Sequence, residues 1–151
     1  MIELRARREA LGLSQPQLAD LLGVTQATIS RWEKGERSPE NWPGIHVLLC
    51  EWEDLAMQVE DEAVEAVEHA PAVQDSPAIE VRTYATDEAW WAMDARAKKA
   101  RAPAVLHRVA VARAAAGVRD ELGISVVFVA NSDRPPLGPE AEWGRWWRGL
   151  V

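Results

Sequence analysis

The stretch from Leu13 to Gly35, LSQPQLADLLGVTQATISRWEKG, constrains this chain more than any other. Ser14 is a type that caps helix N-termini, and Gln17 stands three residues on, where its side chain can reach back to the cap. Pro16 falls in the first turn, where its missing N–H has no intrahelical acceptor to lose. Leu18, Leu21 and Leu22 give this helix one apolar face, and Gly23 supplies the positive φ that ends it. Thr25 caps a second helix, in which Ile29 and Trp32 lie three apart, and Gly35 closes it. The pattern predicts two short helices turned about one glycine. Before them, residues 2–11 read as a first helix, with Ile2, Leu4 and Leu11 apolar and Arg5, Arg7 and Arg8 interleaved.

Two helices joined by a tight glycine-containing turn form the helix-turn-helix pattern, whose second helix enters the DNA major groove. The segment Leu4 to Glu40 resembles the lambda-repressor/Cro-type (XRE) helix-turn-helix family. The residues in register are Arg8, Gly12 to Gln15, Leu18, Ala19, Leu22 to Val24, Ile29, Trp32, Glu33, Gly35 and Pro39. The resemblance implies a DNA-binding head, a pairing of Arg8 with Glu33, and base contacts from Gln26, Ala27 and Thr28.

The residue chemistry agrees. The Gln26 amide matches the N6 and N7 edge of adenine, and Ala27 or the Thr28 methyl suits a thymine methyl. Arg31 suits a guanine or, equally, a phosphate. Gln15, at a helix start, can donate to a phosphate beside the free backbone N–H groups, or serve only in capping. Thr25, Ser30, Lys34 and Arg37 are the further candidates for the DNA backbone. Ile29 and Trp32 face the core; a stacking platform is the alternative for Trp32.

The net charge of −7 is unusual for a DNA binder, but it is unevenly placed. Residues 1–40 carry six basic and six acidic side chains, whereas residues 51–68 hold eight carboxylates and no Lys or Arg. An acidic body repels nonspecific DNA while a neutral head docks through local arginines, so weak nonspecific binding and steep salt dependence are expected. No apolar run approaches membrane-spanning length, and the N-terminus lacks a hydrophobic signal, so a cytoplasmic chain is expected. Cys50 stands alone, which excludes an internal disulfide; with no basic neighbour read beside it, it is expected to be inert.

Beyond Pro39 a long helix is expected from about Asn41 to His69, with Pro43 in its first turn. Ile45, Leu48, Leu49, Trp52, Leu55, Val59 and Ala63 form its apolar stripe, backed by carboxylates. It either bridges to the next domain or packs on its counterpart in a dimer; its acids read as a solvated face rather than a metal cluster. Residues 70–78 read as a linker. Alternation over Ile79 to Tyr84 predicts a strand, followed by a short helix capped at Thr86 with Trp90, Trp91 and Met93. The basic run Lys98, Lys99, Arg101 breaks at Pro103, a second helix spans about 103–122 and stops at Gly123, and 124–130 is an apolar strand. The fold class expected is mainly α with a small α+β part: a helical head (1–40), a connecting helix (41–69), and a β-α-α-β dimerisation domain (79–131). Two strands rarely make a stable sheet alone, so a second copy is expected to complete four. This layout, with VRTY and LHRVAVARA, resembles bacterial and phage helix-turn-helix proteins that include anti-CRISPR-associated repressors, whose C-terminal part dimerises. The tail, 132–151, is Pro-rich and then gathers Trp143, Trp146, Trp147 and Leu150, which suit docking on this domain or its mate better than a ligand cage.

No phosphate-cradling loop, metal-spaced His pair or nucleophile elbow is present, so neither an enzyme nor a cofactor or metal site is expected. His46, His69 and His107 are scattered, and His107 reads as a satisfied structural histidine. The leading expectation is a homodimeric transcription regulator, a repressor of an inverted-repeat operator on double-stranded DNA. The alternatives are an adaptor or antitoxin-like protein that binds a partner through the acidic helix or Trp tail, and an effector sensor with a ligand among Trp90, Trp91, Trp146 and Trp147.

Overall fold

The computed structural model describes residues 2–68, 78–122, 125–130 and 148–149. The linker up to residue 77, His69, the stop at Gly123 and the four apolar residues of the tail lie outside them. The chain is mainly helical and divides into two compact units, Met1–Asp54 and Leu55–Val151.

The first unit begins with α1 (Ile2–Ala10), α2 (Gln15–Leu22) and α3 (Gln26–Lys34). Local chemistry sets each boundary. The Ser14 hydroxyl accepts from Gln17 N, and the Gln17 carboxamide oxygen accepts from Ser14 N at 2.9 Å, a complete capping box. Gly23 and Gly35 end α2 and α3 at φ 66° and 78°, conformations that cost an L side chain about 1 kcal/mol or more. Leu4, Leu11, Leu13, Leu18, Ile29 and Trp32 are buried together with Ile45, Leu49 and Trp52. At roughly 1.5–3 kcal/mol for each large side chain removed from water, this core holds the unit. Ile2, expected on the apolar face, is instead 85% exposed. Leu21 and Leu22 are only half-buried.

The long helix α4 (Trp42–Glu68) runs for 27 residues. Its Asn41 cap accepts from Gly44 N, and a Cβ on Gly44 would meet the Asn41 amide, with Oδ1 at 2.8 Å. The stripe Ile45, Leu49, Trp52, Leu55, Val59 and Ala63 is buried, and the unit boundary falls within this helix.

In the second unit, β1 (Ala78–Thr83) pairs in parallel with β2 (Ser125–Ala130), Ala78 opposite Ser125 and Thr83 opposite Ala130. The two-residue β3 (Arg148–Gly149) lies antiparallel on the other side of β1, so one chain supplies a three-stranded sheet where two strands were expected. Three helices, not two, separate β1 from β2: α5 (Asp87–Trp91), α6 (Ala95–Ala100) and α7 (Ala104–Leu122). The extra break is made by Asp94, whose carboxylate accepts from Arg96 N and Ala97 N and starts a new helix. α6 closes on Arg101 at φ 48°. Trp90, Leu106, Ala110, Val111 and Val118 are buried in this unit with Val81 and Tyr84.

Candidate nucleic-acid interface

The second helix of the turn, α3, buries Ile29 at 0% and Trp32 at 8% exposure, so Trp32 is core and not a stacking platform. The remaining face is free. Gln26, Ala27 and Arg31 are exposed, and Thr28 and Ser30 half-exposed. Thr25 holds the start of this face. Its hydroxyl accepts from Thr28 N at 3.2 Å and lies 2.9 Å from the Thr28 hydroxyl, which ties the two threonines together.

Beneath α3, Arg8 and Glu33 form a buried pair. Arg8 Nε donates to Glu33 Oε1 at 2.6 Å, and Nη1 donates to the Leu13 carbonyl at the α1–α2 corner. Burial pushes the Glu33 carboxyl up, but the bonds from Arg8 and Gln15 outweigh it and hold the group below its ordinary range. One guanidinium therefore fixes α1, the corner before α2, and the end of α3. Gln15 is part of this network, its amide donating to Glu33 Oε2 at 2.8 Å.

The structure brings the backbone candidates together in part. Gln15, Ser30 and Lys34 line one cleft of about 340 Å³ with Arg5. Arg37 lines a different cleft of about 500 Å³ with Thr28, Trp32 and Ile45, and pairs with Glu40 at 3.2 Å on the surface. Arg31 and Lys34 are exposed and carry no ion pair among the described residues.

The expectation that Cys50 has no basic partner is overturned. Arg7 Nη2 donates to Cys50 Sγ at 3.1 Å, and His46 Nε2 lies 3.7 Å away. Arg7 itself is clamped by both oxygens of Glu53 at 2.7 Å, which raises its already high pKa, so it is a tie between α1 and α4 and not a solvated cation. These pairs span 43 and 46 residues, and no local pattern announces them. His107 is also not the satisfied histidine expected. It is buried edge-on between Tyr84 and Trp90, at ring-centroid distances of 4.7 and 5.4 Å, and its Nδ1 has no hydrogen-bond partner among the described residues. Trp90 is 1% exposed, and the Trp91 indole donates to the Ala102 carbonyl at 2.7 Å, so both indoles serve the packing of their own unit.

Three helices with a capped, outward-facing second helix of the turn define a DNA-binding helix-turn-helix module. Residues 4–41 match the helix-turn-helix family model. This head is of the lambda-repressor/Cro (XRE) type, a DNA-binding module of transcription regulators and not an enzymatic one. No curated protein matches the chain. No described helix is long and apolar enough to cross a membrane, and no cluster of metal-ligating side chains occurs among the described residues.

Proposed function

We propose that this chain is a sequence-specific repressor that acts as a homodimer in the cytoplasm and occupies an inverted repeat. The reading is carried by one observation: Gln26, Ala27 and Arg31 stand exposed at the start and middle of α3 while Ile29 and Trp32 anchor its other side. Gln26 reads an adenine edge, Ala27 and Thr28 meet thymine methyls, and Arg31 takes a guanine or a phosphate. Gln15, Thr25, Ser30, Lys34 and Arg37 hold the DNA backbone. On DNA, a phosphate competes with Glu33 for the Gln15 amide. The C-terminal unit supplies the dimer, and the half-sites read by the two α3 helices are expected about one DNA turn apart, roughly 34 Å.

Selection of bound sequences from random duplexes, with the mass of the complex read by light scattering, tests this. The expected result is an enriched inverted repeat carrying two chains. Gln26→Ala then relaxes preference at one base per half-site, by about 1–3 kcal/mol of discrimination, with the fold intact. A folded dimer that enriches no sequence would overturn the proposal.

A further inference from the structure

Seven of the seventeen Lys and Arg residues lie between Ala95 and Arg119, a stretch with no Asp or Glu. Elsewhere the chain holds ten cations against twenty-four carboxylates, so the concentration of positive charge in this stretch runs against the whole. Three of the seven fall within four positions at the end of α6. Lys98, Lys99 and Arg101 are exposed, and no described carboxylate pairs with them. Their neighbour Arg96 differs, being held by Asp94 at 2.8 Å and by Glu62. In the head, Arg7 and Arg8 are tied up by buried or part-buried carboxylates, Arg5 and Arg37 carry only exposed surface pairs, and Arg31 and Lys34 carry no ion pair among the described residues. At most four cations of the head are thus available to phosphates, a small share of the counterion release that drives protein–DNA affinity.

We propose that Lys98, Lys99 and Arg101 form a second, sequence-independent docking surface for the phosphate backbone of double-stranded DNA. The choice of DNA as the polyanion rests on the reading of the head. The surface supplies affinity without base readout, because flexible, unpaired cations track phosphates and not base edges. The division of labour follows: α3 selects the sequence and the end of α6 adds the salt-dependent attraction.

The test uses the full chain carrying Lys98→Gln, Lys99→Gln and Arg101→Gln together, on the selected operator and on a random-sequence duplex. Each phosphate contact contributes about 0.9 to the slope of log affinity against log salt, so the triple variant is expected to lower that slope by about 2.7 per chain on both duplexes. Sequence preference and thermal stability are expected to stay as in the parent. An unchanged slope would overturn the proposal. So would a variant that changes its mass by light scattering or loses stability, since the cations would then serve a partner chain's carboxylates or the α6 helix end. A chain whose parent shows no preference for any duplex, yet whose slope still falls in the triple variant, would overturn the reading of the head and leave this surface standing. A parent that binds no duplex at low salt would overturn both.

Discussion

At the scale of single residues, two buried groups carry opposite risks. Arg8 and Glu33 satisfy each other in the interior of the head, and removing one strands the other's charge. Arg8→Ala is expected to destabilise the protein by about 3 kcal/mol, read from urea unfolding followed by far-UV circular dichroism. The double change Arg8→Met with Glu33→Leu should recover much of that loss, because no buried charge remains alone; a single variant as stable as the parent would refute the assignment. His107 is the converse case, a polar group whose Nδ1 has no partner among the described residues. Burial pushes its pKa down from 6.5 to about 4, against the opposing pull of Asp94. The unfolded chain therefore binds the proton more readily than the native one. Its stabilising contribution is complete above about pH 6.5, and about 3 kcal/mol is lost as pH falls to about 4. His107→Phe keeps an aromatic ring against Tyr84 and Trp90 and is expected to flatten that part of the stability–pH curve. A curve of unaltered slope between those values would count against the neutral buried histidine.

At the scale of elements, the boundaries depend on caps as much as on propensity. Asp94 separates α5 from α6 by accepting from two backbone N–H groups and from the Arg96 guanidinium. Burial works against its charge, and those bonds overcome it, holding the carboxyl below its ordinary range. Asp94→Ala leaves the N-terminus of α6 unsatisfied, and about 2 kcal/mol of stability is expected to go, seen as a lowered midpoint in denaturant. Asp94→Asn retains an acceptor for the backbone and should lose less than half of that. If the alanine variant unfolds with the parent, α6 does not depend on this cap. The same logic orders the start of α3, where the Thr25 hydroxyl accepts from Thr28 N and meets the Thr28 hydroxyl.

At the scale of the whole molecule, the proposed dimer makes stability depend on concentration. If folded chains are linked to association, the thermal midpoint rises with protein concentration by mass action. A rise of several degrees across a hundredfold range in concentration is expected in differential scanning calorimetry, and a constant midpoint would point to a monomer. The net charge of −7 adds a second whole-molecule consequence. Like charge weakens nonspecific binding, which is itself almost wholly electrostatic attraction, so binding to random duplexes should be lost at a lower salt concentration than operator binding, which keeps its base contacts.

The sequence alone determined the head: its caps at Ser14 and Thr25, its glycine stops at Gly23 and Gly35, and the buried stripe along α4. Each of these acts within one or two helical turns, so the residues that matter are neighbours in the chain as well as in space. The exposed face of α3 was legible for the same reason, since exposure on that helix follows its own period. Only the tertiary structure decided that Arg7 reaches Cys50 and Glu53, that Gln15 bonds to Glu33, and that His107 sits between two rings with no partner for Nδ1 among the described residues. Those partners lie eighteen to forty-six residues apart along the chain where a bond is made, and the packing of one helix on another determines which side chains meet. The split at Asp94 lies between the two cases. Its signal is local, but the apolar and basic run from Trp90 to Arg101 also fits one continuous helix, and it took the backbone bonds to Asp94 to choose otherwise.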